Sequence, residues 1–251
     1  MKTTISLATT AMATGRHLRK SALLAAGCLA LAVAIPSFAA QPAALKPFTA
    51  TYQANYMGLH GTGTMTLAPA GGDRWKYSLE IDSAVAQLSQ NTVFEAAGGQ
   101  WKPLSNSDSS MLLIRKSNKQ ATYDWNRKEA RWSGDVKPSR RDPVALQDGD
   151  LSGLLIDLAV IRDAVPGKTL HYRFVEGGRA REHVYVVAPQ TESVEVDGLG
   201  YDAMRVSRND GNDQTVVWVA SGVPTPIRIL QREDGDDSTD LRLVEYKEAM
   251  Q

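Results

Sequence analysis

Beyond residue 47 the chain alternates apolar and polar side chains with a period of two. Residues 75–82 are the cleanest case: Trp75, Tyr77, Leu79 and Ile81 fall on one face, and Lys76, Ser78, Glu80 and Asp82 on the other. Successive side chains of a strand point to opposite faces, so this pattern predicts a strand with one buried and one wetted face. The same reading predicts strands over residues 48–56, 62–68, 92–97, 100–104, 109–116, 119–125 and 129–132. It continues over 168–176, 181–188, 192–197, 201–207, 215–220, 227–233 and 240–246. Turn residues separate the runs: Gly58 to Gly61, Pro69 to Asp73, Gly98-Gly99, Gly177-Gly178, and Asp-Gly pairs at 197–198, 210–211 and 234–235. Such pairs tolerate the positive φ of tight hairpins, and strands joined by hairpins run antiparallel.

One segment changes period. Within residues 150–165, Leu151, Leu154, Leu155, Leu158, Ile161 and Val165 recur at helical spacing, and Ile156, Ala159 and Val160 lie beside that stripe. A helix apolar on nearly every side is a buried one. Asp150 is placed as its N-cap and Pro166-Gly167 as its stop. The expected fold is mainly β: a strongly curved antiparallel sheet or open barrel wrapped around one buried helix. No linker or fixed-period repeat divides it. Residues 48–247 read as a single β-rich domain after a flexible lead-in at 40–47.

The first 39 residues follow other rules. They carry four basic residues (Lys2, Arg16, Arg19, Lys20) and no acid, then an apolar run of 15 residues from Ser21 to Ile35. Pro36-Ser37-Phe38-Ala39 places small residues before a cleavage point between Ala39 and Ala40. This is the layout of a secretory signal peptide, and it predicts export to the periplasm. The apolar run falls short of the ~20 residues that span a bilayer. Met12 is an alternative start, and Ala25-Ala26-Gly27-Cys28 is a weak lipobox, which makes a lipoprotein at Cys28 the minor alternative. Removing 39 residues leaves 24 basic against 28 acidic residues, with no cysteine and no second long apolar run, so no transmembrane span is expected in the mature chain. That balance argues against nucleic acid as a partner, and the missing thiol excludes cysteine chemistry.

Motifs for chemistry mostly fail. Gly167-Lys168-Thr169 lacks the earlier glycine of a phosphate loop, since position 162 is Arg162. The glycines around His60 lie between strands, which suits a hairpin and not a dinucleotide fold. His171 and His183 would face each other if the loop at Gly177 has three residues, but two imidazoles are too few for a stable metal site. The acidic cluster at 233–237 lacks the spacing of a calcium loop. No metal or cofactor is therefore assigned. Among the five tryptophans, Trp75 and Trp218 sit in alternating strands and are placed facing the core.

Scattered segments carry a family resemblance. Tyr52 to Gly63 forms an opening hairpin ending Gly-Thr-Gly, Gly99-Gln-Trp-Lys-Pro-Leu104 and Tyr123-Asp-Trp125 follow, Gln147-Asp-Gly-Asp-Leu151 leads into the helix, and a late strand pair runs from Val217 to Arg228. In these the chain resembles the exported bacterial family of domain of unknown function 3108 (DUF3108). The resemblance implies location and fold and supplies no active-site residue. A curved sheet over a helix is also similar to the periplasmic lipoprotein carriers LolA and LolB, an analogy of fold. The leading expectation is a non-enzymatic periplasmic protein that takes a lipid or lipoprotein acyl chain, with Trp75, Leu154, Leu158 and Trp218 lining its cavity. Its rivals are an envelope interaction module without ligand and a hydrolase built on carboxylates.

Overall fold

The computed structural model describes residues 45–248. The leader, Cys28 and the cleavage point at Ala39 and Ala40 lie outside the described residues. Seven strands come first: β1 (Phe48–Tyr56), β2 (Leu59–Pro69), β3 (Arg74–Ser83), β4 (Ala86–Ala97), β5 (Gln100–Leu112), β6 (Arg115–Asp124) and β7 (Glu129–Gly134). The short β8 (Val144–Ala145) and one helix, α1 (Leu155–Asp163), follow. Six more strands end the fold: β9 (Thr169–Glu176), β10 (Arg179–Val196), β11 (Leu199–Asp210), β12 (Asp213–Ala220), β13 (Arg228–Glu233) and β14 (Asp236–Glu248).

All 14 strands join one antiparallel sheet in which β1 pairs with both β2 and β14, leaving β8 and β9 as its edges. The segment between those edges closes the sheet on itself. Leu151 forms a parallel bridge to Phe174, donating its N–H to the Arg173 carbonyl (3.0 Å) and accepting from Val175 N–H (2.8 Å). The result is a nearly closed barrel, which leaves few free backbone groups for edge-to-edge pairing. The hydrophobic reason for closure is α1. Its Leu155, Ile156, Leu158, Ala159 and Val160 are buried in one core with Phe48, Tyr52, Met65, Tyr77 and Leu241 from the barrel wall. Tyr172 ties wall to helix by donating to the Ala159 carbonyl (3.1 Å). A second, smaller core lies at the seam, where Tyr123, Ala130 and Trp132 of β6 and β7 pack on Val175 of β9.

Three local expectations are corrected. The helix begins at Leu155, and Asp150 does not cap it: its side chain is fully buried in an ion pair with Arg173 (2.6 Å) that pins the closing segment to β9. Residues 109–116 are not one strand, because a turn at Leu113-Ile114 splits them between β5 and β6. The β9–β10 loop has two residues, with Glu176 opposite Arg179. His183 therefore pairs with Tyr172 and His171 with Val184, so the two imidazoles point to opposite faces. His183 is buried against Phe174 at a ring distance of 4.5 Å, and its loss of solvent pushes its pKa down to about 4.

Candidate functional site

The four residues assigned to the cavity by sequence do not meet in one. Leu154 and Leu158 are buried between helix and wall, and Trp75 lies half-buried at the margin of that core. Trp218 is buried on the other face of the sheet. It pairs with Arg228, whose guanidinium covers its ring at 4.9 Å, and its indole N–H donates to Glu192. Val217 and Val219 take the inner face instead, because β12 is covered on both sides and gives no alternation to read. None of the four lines any of the clefts described below.

The open space lies at one end of the barrel. There the inner faces of β4, β5 and β6 form successive rungs. Ala86, Leu112 and Arg115 are outermost, then Leu88, Ser110 and Ser117, then Gln90, Asp108 and Lys119, then Thr92, Asn106 and Ala121. With Tyr56, Leu59 and Ile81 of the neighbouring strands, the outer two rungs enclose a cleft of about 260 Å³. A larger groove of about 480 Å³ lies mainly on the outer face, among Glu80, Asp82, Ser89, Ser109, Lys116 and Asn118, but it is shallow and about half polar. A third, of about 160 Å³, sits between Gln53, Glu195 and Arg242. Of these three clefts among the described residues, the end cleft best combines enclosure with an apolar lining, the usual character of a ligand pocket.

The fourth rung is a sealed polar floor. Asn106 donates to Glu176 (2.8 Å) and to Tyr123 (3.2 Å) and accepts from Ser152 (3.2 Å). Gly153 N–H donates to the same Glu176 oxygen (2.8 Å), and Tyr123 donates onward to the Val175 carbonyl (3.0 Å). The network needs a glycine at 153: φ is +45°, and a Cβ there would stand 2.8 Å from Asn106 Nδ2 and 2.9 Å from Thr92 Oγ1. Burial first, and the nearby Asp108 charge second, push the Glu176 carboxyl up to about 7. Asp108 is raised too, by burial against the pull of Lys119.

Deeper in the barrel, Asp157 projects from the first turn of α1. Neither backbone nor side chain donates a hydrogen bond to its carboxylate among the described residues. Tyr52, Tyr77 and Tyr185 of the wall all feel its charge. It keeps a little surface but has protein on every side, and that desolvation raises its pKa to about 7. Tyr52 and Tyr77 spend their hydroxyls elsewhere, on the Pro226 carbonyl (2.7 Å) and Met65 Sδ (3.3 Å).

Sequence reading missed the cleft. Its one signal was the run Met111-Leu112-Leu113-Ile114, four large apolar residues with no turn former, set between serines and Arg115-Lys116.

No family model and no curated protein matches the chain. Among solved structures, it is similar to a beta-barrel-like protein of domain of unknown function DUF1849 from Brucella abortus. The identity is 13%, the match covers 82% of this chain and 99% of that one, and the TM-score is 0.51. The likeness establishes a barrel-like fold.

Proposed function

We propose that this is an exported periplasmic protein that binds, without chemistry, one aliphatic chain of an amphipathic ligand such as a lipid or a lipoprotein anchor. The observation that carries the reading is the end cleft, enclosed on the inner face and lined by Leu59, Ile81, Leu88 and Leu112. Its size decides what fits. Pockets for drug-sized ligands span ~300–1,000 Å³. A cleft of about 260 Å³ therefore suits one chain or the end of one, not a whole multi-chain lipid. The signal-like leader supports export.

Native mass spectrometry of protein recovered from the periplasm tests this, with organic extraction of the same sample. The expected result is a chain starting at Ala40 with a reproducible extractable adduct. Leu88→Trp, which fills the cleft, should lose the adduct while keeping the fold. An adduct-free wild type, or an adduct unchanged in the variant, overturns the reading.

Asp108 and Glu176 favour a second reading, a carboxylate hydrolase, because Glu176 lies in the field of Asp108 and its carboxyl is pushed up to about 7. Both Glu176 oxygens are already occupied by donors from Asn106, Gly153 and Gly177, which suits a structural role better. Turnover of an envelope polymer that disappears in Asp108→Asn would reverse that ranking.

A further inference from the structure

The mouth of the cleft carries an unusual rim. Met57 is 66% exposed, Val85 41%, Leu112 44%, Leu113 67% and Ile114 98%. All five lie on three hairpin tips, β1–β2, β3–β4 and β5–β6. The last two tips are joined, since Leu113 N–H donates to the Val85 carbonyl (2.8 Å). The first faces them across the cleft, which Tyr56 and Leu59 line from the other side. Scattered exposed apolar residues need no explanation, but a contiguous cluster marks an interaction surface.

The β5–β6 tip also contradicts its own turn chemistry. Other tight tips of this barrel use Gly71-Gly72, Gly98-Gly99, Asp197-Gly198 or Asp234-Gly235 at positive φ. Here Leu113 adopts φ +55°, a conformation that leucine disfavours, and an almost fully exposed isoleucine follows it. Neither turn preference nor solubility favours that pair.

Charge identifies what the tip touches. Arg115 and Lys116 follow the tip directly, both exposed, and neither forms an ion pair among the described residues. Residues 55–60 and 83–90, which form the other two tips, carry no acid. Of the acids of this sector, Glu80 and Asp108 sit back along their strands, while Asp82 shares an outer-face rung with Gln87, Met111 and Lys116, three strands from the cation. On the same end of the barrel the β11–β12 and β13–β14 turns are acidic, with Asp210, Asp213, Asp234, Asp236 and Asp237. Apolar side chains with adjacent cations suit an interface with anionic lipid headgroups. The β13–β14 turn adjoins the rim, since Met57 N–H donates to the Ser238 carbonyl (2.8 Å), but its Asp237 is paired with Arg232 and Asp210 of the β11–β12 turn with Arg208, so the cations beside the β5–β6 tip decide which side leans toward the lipid.

We propose that the apolar rim at Met57, Val85 and residues 112–114, with Arg115 and Lys116, docks this protein on an anionic lipid bilayer, with the cleft opening onto it. This goes beyond the carrier reading and does not depend on it. A protein that binds vesicles with an empty cleft fails that reading and keeps this one.

The test is co-sedimentation with vesicles of phosphatidylglycerol and phosphatidylethanolamine, and with vesicles of phosphatidylcholine alone. Wild type should bind the first strongly, the second weakly, and lose binding at high salt. Leu113→Gly with Ile114→Ser puts glycine at the one tip position with positive φ, so the hairpin should hold while partition falls on the order of 100-fold. Ile114→Asp, at a site almost free of neighbours, provides the same test if the double variant is poorly folded. Arg115→Ser with Lys116→Ser should weaken binding by about 30-fold and erase the preference for phosphatidylglycerol. Equal partition of tip variants and wild type, or no vesicle binding by wild type, overturns the proposal. If wild type instead self-associates through the tip, shown by sedimentation that the tip variant abolishes, the occupant is a second copy and the lipid assignment is wrong.

Discussion

Asp157→Asn should stabilise this protein above neutral pH and leave it nearly unchanged in acid. The native carboxyl holds its proton up to about pH 7, whereas in the unfolded chain it ionises near 3.8. Across that window the native state binds more protons than the unfolded state, so stability is fullest in acid and falls as pH rises toward 7. The two protonation limits make that loss about 3–4 kcal/mol between roughly pH 4 and pH 7. Asparagine is close to isosteric and never ionises, so it escapes the loss. No hydrogen bond is sacrificed, because nothing donates to the carboxylate. One effect opposes the gain: a carboxylate in the first turn of a helix gains about 0.3–1 kcal/mol from the helix dipole. That is several-fold smaller and does not change the sign. Glu176 carries its own pH dependence in both proteins and cancels in the difference. Urea unfolding of both proteins from about pH 4 to pH 8 measures the gap directly. A gap that is flat with pH would refute the reasoning, since it would mean that the carboxylate is paired or hydrated inside the barrel.

Two further perturbations probe the seam. Arg173→Met leaves the fully buried Asp150 carboxylate without its cation, and the loss should be about 3–5 kcal/mol by urea unfolding, with Asp150→Asn in the same chain recovering part of it. Gly153→Ala adds a Cβ 2.8 Å from Asn106 Nδ2 at a positive φ; it should cost about 2 kcal/mol or more and speed amide exchange in residues 146–153, where closure is made. A Gly153→Ala protein as stable as wild type would mean that the floor beneath the cleft is loosely held.

Local pattern determined much of this protein. Period-two alternation places Tyr77, Leu79 and Ile81 on the inner face of β3, as observed, and the Asp-Gly pairs at 197–198 and 234–235 do sit at positive φ in the turns after β10 and β13, whereas at 210–211 only Gly211 does and Asp210 ends β11. The apolar stripe from Leu154 to Val160 marks the helix that fills the barrel. These features depend on residues a few positions apart, where bond geometry alone decides which way a side chain points. Tertiary structure decided the rest. Whether β9–β10 turns in two residues or three separates His171 from His183 by a whole face of the sheet. Trp218 is buried, as its strand pattern suggests, but burial of β12 on both faces removes the pattern that would reveal its direction. Asp150 looks like a helix cap until closure places Arg173 beside it, 23 positions away. Asn106 and Glu176 are 70 positions apart, and their contact exists only because the sheet curls back on itself. The cleft and its rim depend on the same curling. The rungs of β4 to β6 enclose space only once β1 to β3 stand opposite them, and the Met111 to Ile114 run becomes a lip rather than a strand interior only when the hairpin turns there. Strand direction is a local property of the chain; closure, register and enclosed volume are set by contacts between distant residues, which no spacing along the sequence encodes.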